Sequence, residues 1–168
     1  MPIRADRVGN NSGELTTIDF DDFFRSHYPA TVRLAHLLTG SNQAAEDLAQ
    51  EAFRRVYSHY SDLQEPAPYL RAVTVNVCRN WHRGRSREAD RLRRHGTSPT
   101  ETVMEHDELL DTIRKLSYRA QAVLVLRYWL DLSEADIAAS LGCRPGTVKS
   151  IHSRALDAIR TEFGHANS

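Results

Sequence analysis

The chain has 168 residues, 40% hydrophobic and 26% charged, enough for one compact domain or two small ones joined by a linker. No run approaches the roughly 20 apolar residues that span a bilayer, and the N-terminus lacks the basic-then-apolar order of a secretory leader, so a cytosolic protein without membrane insertion is expected. Only Cys78 and Cys143 are present, in no ligand spacing, which excludes a disulfide framework and a zinc site; no metal or other cofactor is expected.

Residues 1–18 are polar, with Gly9, Asn10, Asn11, Ser12 and Gly13 in series, and read as a disordered arm. From Phe20 apolar residues recur at helical intervals through Leu38, ending at Gly40, a helix stop; a bend is expected near Pro29. A second helix begins near Ser41, with Glu46 and Asp47 early, where acids favour the positive dipole end. Its apolar residues run from Leu48 to Tyr60 and leave Asp47, Gln50, Glu51 and Arg54 on the other side.

Residues 61–68 carry Pro66 and Pro68 and are expected to form a non-helical loop. The next helix has an apolar stripe of Leu70, Val73, Val77 and Trp81, and Trp81 is read as a core residue rather than a stacking platform. Arg71, Asn76, Arg79, Asn80 and Arg83 lie off the stripe. Beyond Gly84 arginine, serine and threonine dominate without an apolar period, which suggests a flexible linker. Leu109 to Trp129 fit two helices, and two more complete the chain. No alternating strand pattern appears, so the fold class expected is all-α: two small helical domains and a C-terminal helix-turn-helix. The boundaries expected are domains at 19–87 and 105–163, a linker at 88–104 and a tail at 164–168.

Net charge is zero, but charge is segregated. The balance runs −4 over residues 19–68, +6 over 69–96, −4 over 97–136 and +2 over 137–168. Two basic faces suited to phosphate are thus set among acidic parts suited to a protein partner.

The most specific local signal spans residues 132–160. Ser133 is a good N-cap with Asp136 three places on, Gly142 ends the first helix, and Pro145 suits the first turn of the next. Val148, Ile151, Ala155 and Ile159 form the buried stripe. Arg144, Thr147, Lys149, Ser150, Ser153 and Arg154 are left to meet a major groove. An ordinary glycine-turned helical corner has the same outline, but capping, turn and exposed cations agree here on DNA binding. The run from Arg71 to Arg94 combines eight arginines with Asn76, Asn80, Trp81 and His82, the mixture that holds phosphates and reads unstacked bases.

The order of these parts resembles the extracytoplasmic-function sigma factors, which keep only the minus-ten-binding and minus-thirty-five-binding domains of larger sigma factors. AEDLAQEAFRRVY at residues 45–57 is similar to the family helix that docks on the clamp helices of the largest polymerase subunit. The resemblance implies polar contacts by Asp47, Gln50, Glu51 and Arg54 with apolar support from Leu48 and Phe53. PYLRAVTVNVCRNWHRGRSR at residues 68–87 resembles the minus-ten helix, which implies roles for Asn76, Arg79, Asn80 and Arg83 and for Asp62, Leu63 and Gln64 in the preceding specificity loop. PGTVKSIHSRALDAIR at residues 145–160 resembles the minus-thirty-five recognition helix, with Ile151 where the family commonly has arginine. The resemblance further implies binding to polymerase core, including the flap of the second-largest subunit, to promoter DNA, and to an anti-sigma factor.

Two other classes compete. A duplex-binding helix-turn-helix regulator needs a sensing domain that residues 20–87 do not resemble. An enzyme needs a site, and no HExxH, nucleophile elbow or phosphate-cradling glycine loop is present.

Overall fold

The computed structural model describes residues 19–96 and 108–166, and in them the chain is all-α. The helices are α1 (Phe20–Thr39), α2 (Asn42–Tyr57), α3 (Pro66–Arg94), α4 (Glu108–Lys115), α5 (Tyr118–Tyr128), α6 (Glu134–Leu141) and α7 (Pro145–Ala166). The N-terminal arm, residues 97–104 of the expected linker and residues 105–107 of the expected second domain lie outside the described residues.

Local chemistry sets most helix ends. Ser41 Oγ accepts the Ala44 N–H at 3.2 Å and opens α2, and Gly40 closes α1 in the left-handed region at φ +71° with its N–H on the His36 carbonyl. Pro29 lies inside α1, which is continuous through it. Glu46 and Asp47 lie beyond the first turn of α2, where the dipole has largely faded, so they do not serve as first-turn acids.

Three further expectations fail for identifiable reasons. Pro66 and Pro68 belong to the first turn of α3 rather than to a loop, because N–H groups there have no helical partner to lose. The segment between α2 and α3 is instead residues 58–65, with one 3₁₀ turn at Tyr60–Asp62. The helix also runs on from Gly84 to Arg94, through part of the expected linker, with ion pairs Arg91–Glu88 at 2.6 Å and Arg93–Asp90 at 3.2 Å standing in for an apolar period. Trp81 is half-buried and belongs to no core cluster; the Arg85 guanidinium lies 4.9 Å from its ring centre.

Helices α1, α2 and α3 form the first bundle. Phe23, Phe53, Val56, Leu70 and Val77 fill its centre, ringed by Phe20, Phe24 and Tyr28. Helices α4 to α7 form the second, around Ile113, Ala120, Leu124 and Ala155. The two bundles are packed together. One continuous cluster joins Leu34, Leu38, Ala45, Val75 and Cys78 to Val123, Val125, Leu126, Ile137, Ala138, Leu141 and Val148. Helix α5 sits at this seam and is buried from Ala120 to Leu126, as a helix apolar on all sides requires.

Polar contacts complete the seam. The Tyr118 hydroxyl donates to the Val75 carbonyl at 2.6 Å, and Arg71 Nε donates to Ser140 Oγ at 3.1 Å. The Arg114 side chain lies against Gly40, so that a methyl group there would meet its Nε at 2.9 Å. A cation from the other bundle thus lies beside the C-terminal end of α1, where the helix dipole favours positive charge.

Candidate polymerase and nucleic-acid interfaces

On α2, Asp47, Gln50 and Arg54 are exposed, and Leu48 and Glu51 are half-buried. Glu51 accepts from Arg55 at 2.8 Å and from Arg54 at 2.7 Å. The Arg55 hydrogen bond, with Arg54 adding to it, holds the Glu51 carboxyl below the ordinary carboxylate range. The result is a fixed polar strip on one side of the first bundle. Phe53, expected as apolar support for docking, is 2% exposed among aromatic rings, so it holds the helix from beneath and touches no outside partner.

On α3, Asn76, Asn80 and Arg83 are exposed on one face. Arg79 is half-buried and donates to the Asn76 carboxamide oxygen at 2.5 Å, which fixes the amide and leaves its NH₂ to donate outward. Beside Asn76 lies a cleft of about 290 Å³ lined by Arg55, Ser58, His59, Tyr69, Val73 and Asn76. His59 and Tyr69 stand edge to face, with ring centres 6.4 Å apart. Aromatic walls, an amide edge and a guanidinium suit one unstacked base.

Asp62, Leu63 and Gln64, assigned to the specificity loop from sequence, do not line this cleft. Asp62 and Gln64 are exposed, and Leu63 packs on the first bundle's core. The cleft instead uses Ser58 and His59, at the start of the segment between α2 and α3, together with Tyr69 and Arg55. An aromatic pair flanking the turn was the available signal, obscured because the prolines drew the loop assignment toward α3.

The helix-turn-helix forms as its capping residues dictate. Ser133 Oγ accepts the Asp136 N–H at 3.1 Å and donates to the Asp136 carboxylate at 2.6 Å. Gly142 is left-handed at φ +62°, and the Cys143 N–H reaches back to the Ala138 carbonyl at 3.0 Å, the paired-bond closure that reverses the chain. Val148 and Ala155 are buried and Ile151 and Ile159 half-buried, which turns the opposite face outward. Arg144, Lys149, Ser150, Ser153 and Arg154 are exposed, and Thr147 is half-buried. Ser150 Oγ donates to the Gly146 carbonyl and Arg154 Nε to the Ser150 carbonyl, while Lys149 has no acidic partner among the described residues.

The matches to known proteins cover both bundles. The family description "Sigma-70 region 2" matches residues 23–88, and "Sigma-70, region 4" matches residues 106–159. RNA polymerase sigma-E factor of Streptomyces coelicolor is 32% identical over 153 residues, covering 87% of this chain and 86% of that protein. The chain belongs to the extracytoplasmic-function sigma factors. ECF RNA polymerase sigma factor SigL of Mycobacterium tuberculosis is 33% identical over 150 residues, covering 82% of this chain and 84% of its own length. The fold is shared with the sigma factor RpoE of Bartonella quintana, solved in complex with the anti-sigma factor NepR, at a TM-score of 0.71 and 22% identity over 86% of this chain and 96% of that one.

Among the described residues no group of three or more His, Cys, Asp or Glu side chains is placed to hold a metal ion, and no helix is long and apolar enough to cross a membrane.

Proposed function

We propose that this sigma factor binds polymerase core through the polar strip of α2, reads a minus-thirty-five duplex with α7, and captures a minus-ten base in the cleft beside Asn76. It thereby directs initiation at its own promoters. Bond making belongs to the polymerase. The observation that carries this reading is a pair of exposed cationic surfaces, one on α3 of the first bundle and one on α7 of the second.

In this role Lys149 and Arg154 approach phosphates or base edges in the major groove, with Ser150 and Ser153 beside them. Asn76, held by Arg79, presents its NH₂ to the unstacked base, and Asn80 and Arg83 follow the strand. Asp62 and Gln64 lie at the mouth of the opened segment.

The packed seam adds a requirement. Elements at minus ten and minus thirty-five lie 25 base pairs apart, about 85 Å of B-form duplex at 3.4 Å per pair. Val75, next to Asn76, and Val148, next to Lys149, share one core cluster. The bundles must therefore part before both elements are held at once. The structure of RpoE of Bartonella quintana is named as a complex with the anti-sigma factor NepR, and an anti-sigma partner that stabilises the unparted form is the control this arrangement favours.

The test is run-off transcription with purified core on a fragmented genomic library, with and without the protein, at two salt concentrations. New start sites sharing two upstream elements are expected. Duplex binding without core-dependent initiation would establish an ordinary helix-turn-helix regulator instead.

A further inference from the structure

Helix α3 extends six residues past the end of the region 2 match at residue 88, and its outer face does not lose its character there. Asn76 and Arg94 are 18 residues apart, five full turns, so they share one face; Asn80, Arg83 and Arg87 fall within about 40° of the same line. All five are exposed. The acids of this half-helix are already engaged: Glu88 pairs with Arg91 and Asp90 with Arg93, the two arginines lying about 60° and about 100° round the helix from Asn76. Arg83, Arg87 and Arg94 have no acidic partner among the described residues. The face therefore reads, from one end to the other, as two base-reading amides followed by three free guanidinium groups.

We propose that Arg87 and Arg94 form a phosphate rail for double-stranded DNA immediately upstream of the opened minus-ten segment, gripping the promoter spacer without regard to its sequence. The inference rests on the sigma-factor reading and adds a duplex contact to it. From Asn76 to Arg94 the helix covers about 27 Å at 1.5 Å per residue, the length of about eight base pairs. The side-chain chemistry changes along that length in the order the DNA does, from amides where bases are unstacked to cations where only backbone is presented. Continuity with the Asn76 cleft sets the direction; Arg85, also without an acidic partner among the described residues, lies on the opposite face over the Trp81 ring, so Arg83, Arg87 and Arg94 are the cations of the Asn76 face.

The test uses holoenzyme assembled from core and full-length protein, with two fluorescent probes. One is a single non-template strand carrying the minus-ten element; the other continues upstream into ten base pairs of duplex of arbitrary sequence. The wild type is expected to bind the longer probe more tightly. The Arg87→Ala/Arg94→Ala variant should lose on the order of 10- to 60-fold on the longer probe at 0.1 M salt, with a log–log salt slope shallower by close to two, while its affinity for the short probe stays unchanged. Equal loss on both probes, no loss on either, or a matching loss in the charge-neutral Glu88→Gln/Arg91→Gln variant overturns the rail. Failure of wild-type holoenzyme to bind the short probe overturns the sigma-factor reading itself, a result distinct from any of these.

Discussion

Replacing Tyr118 by phenylalanine tests whether the seam between the bundles is a barrier to activity. The Tyr118 hydroxyl is buried, and burial raises its pKa, so it stays protonated and donates to the Val75 carbonyl at 2.6 Å across the seam. That carbonyl keeps its own helical N–H, so the substitution leaves no buried acceptor unsatisfied, and the ring's packing survives. The loss is then one neutral hydrogen bond, about 1 kcal/mol, which multiplies the parted population about fivefold. Cys78 reports on that population. It is fully buried in the seam, with its thiol pushed up to about 12 by burial, so alkylation proceeds through opening. Alkylation of Cys78 in a Cys143→Ser background should accelerate about fivefold in Tyr118→Phe, and run-off transcription at limiting protein should rise. Faster alkylation with proportionally lower transcription would refute the reasoning, since the seam would then belong to the active form.

Lys149→Ala and Arg154→Ala should each weaken use of the minus-thirty-five element by about 1 to 3 kcal/mol if the side chain reads a base; if it holds a phosphate, the salt slope falls by about one; footprinting at several salt concentrations separates the two. Asn76→Ala should alter which base is accepted at minus ten, and permanganate reactivity across base-substituted promoters checks it. His82 is shifted down, first by desolvation and then by the Arg85 charge, against the opposing Leu38 hydrogen bond. Its folded pKa lies below the unfolded 6.5, so the folded state binds fewer protons; stability from this group is full above pH 6.5 and falls as pH drops through and below that value. Denaturant midpoints from pH 7.5 to 5 should decline more in the wild type than in His82→Gln.

What was legible in the sequence was local. Gly40, Ser41, Ser133 and Gly142 each end or begin a helix through a bond within three or four residues, so their spacing carries the information. The outward residues of α7 were legible for the same reason, because Gly142 and Pro145 fix where the helix begins and so its phase. The seam was not. Val75 and Cys78 lie among Arg71, Asn76, Arg79 and His82, and the stripe looks polar until Arg71 finds Ser140 and His82 finds the Leu38 carbonyl. Those partners lie 69 and 44 residues away. The far half of α3 was missed because ion pairs, not apolar contacts, sustain it, and Trp81 because periodicity assigns a face without saying where the neighbouring bundle ends.

Helix α3 serves three surfaces at once, and its register decides what the packed form can withhold. Leu70 and Val77 face the first bundle's core, Val75 and Cys78 face the second bundle, and Asn76, Asn80, Arg83 and Arg87 face solvent. Packing of the bundles covers only the middle set. The residues of α3 proposed to meet DNA stay exposed beside it, as do Lys149 and Arg154 on α7. The packed form thus leaves each contact open and denies only the distance between them. Short probes carrying a single element should bind equally well before and after the seam is loosened, whereas a full promoter, which needs both at about 85 Å, should respond to every substitution that weakens Tyr118, Arg71 or Ser140.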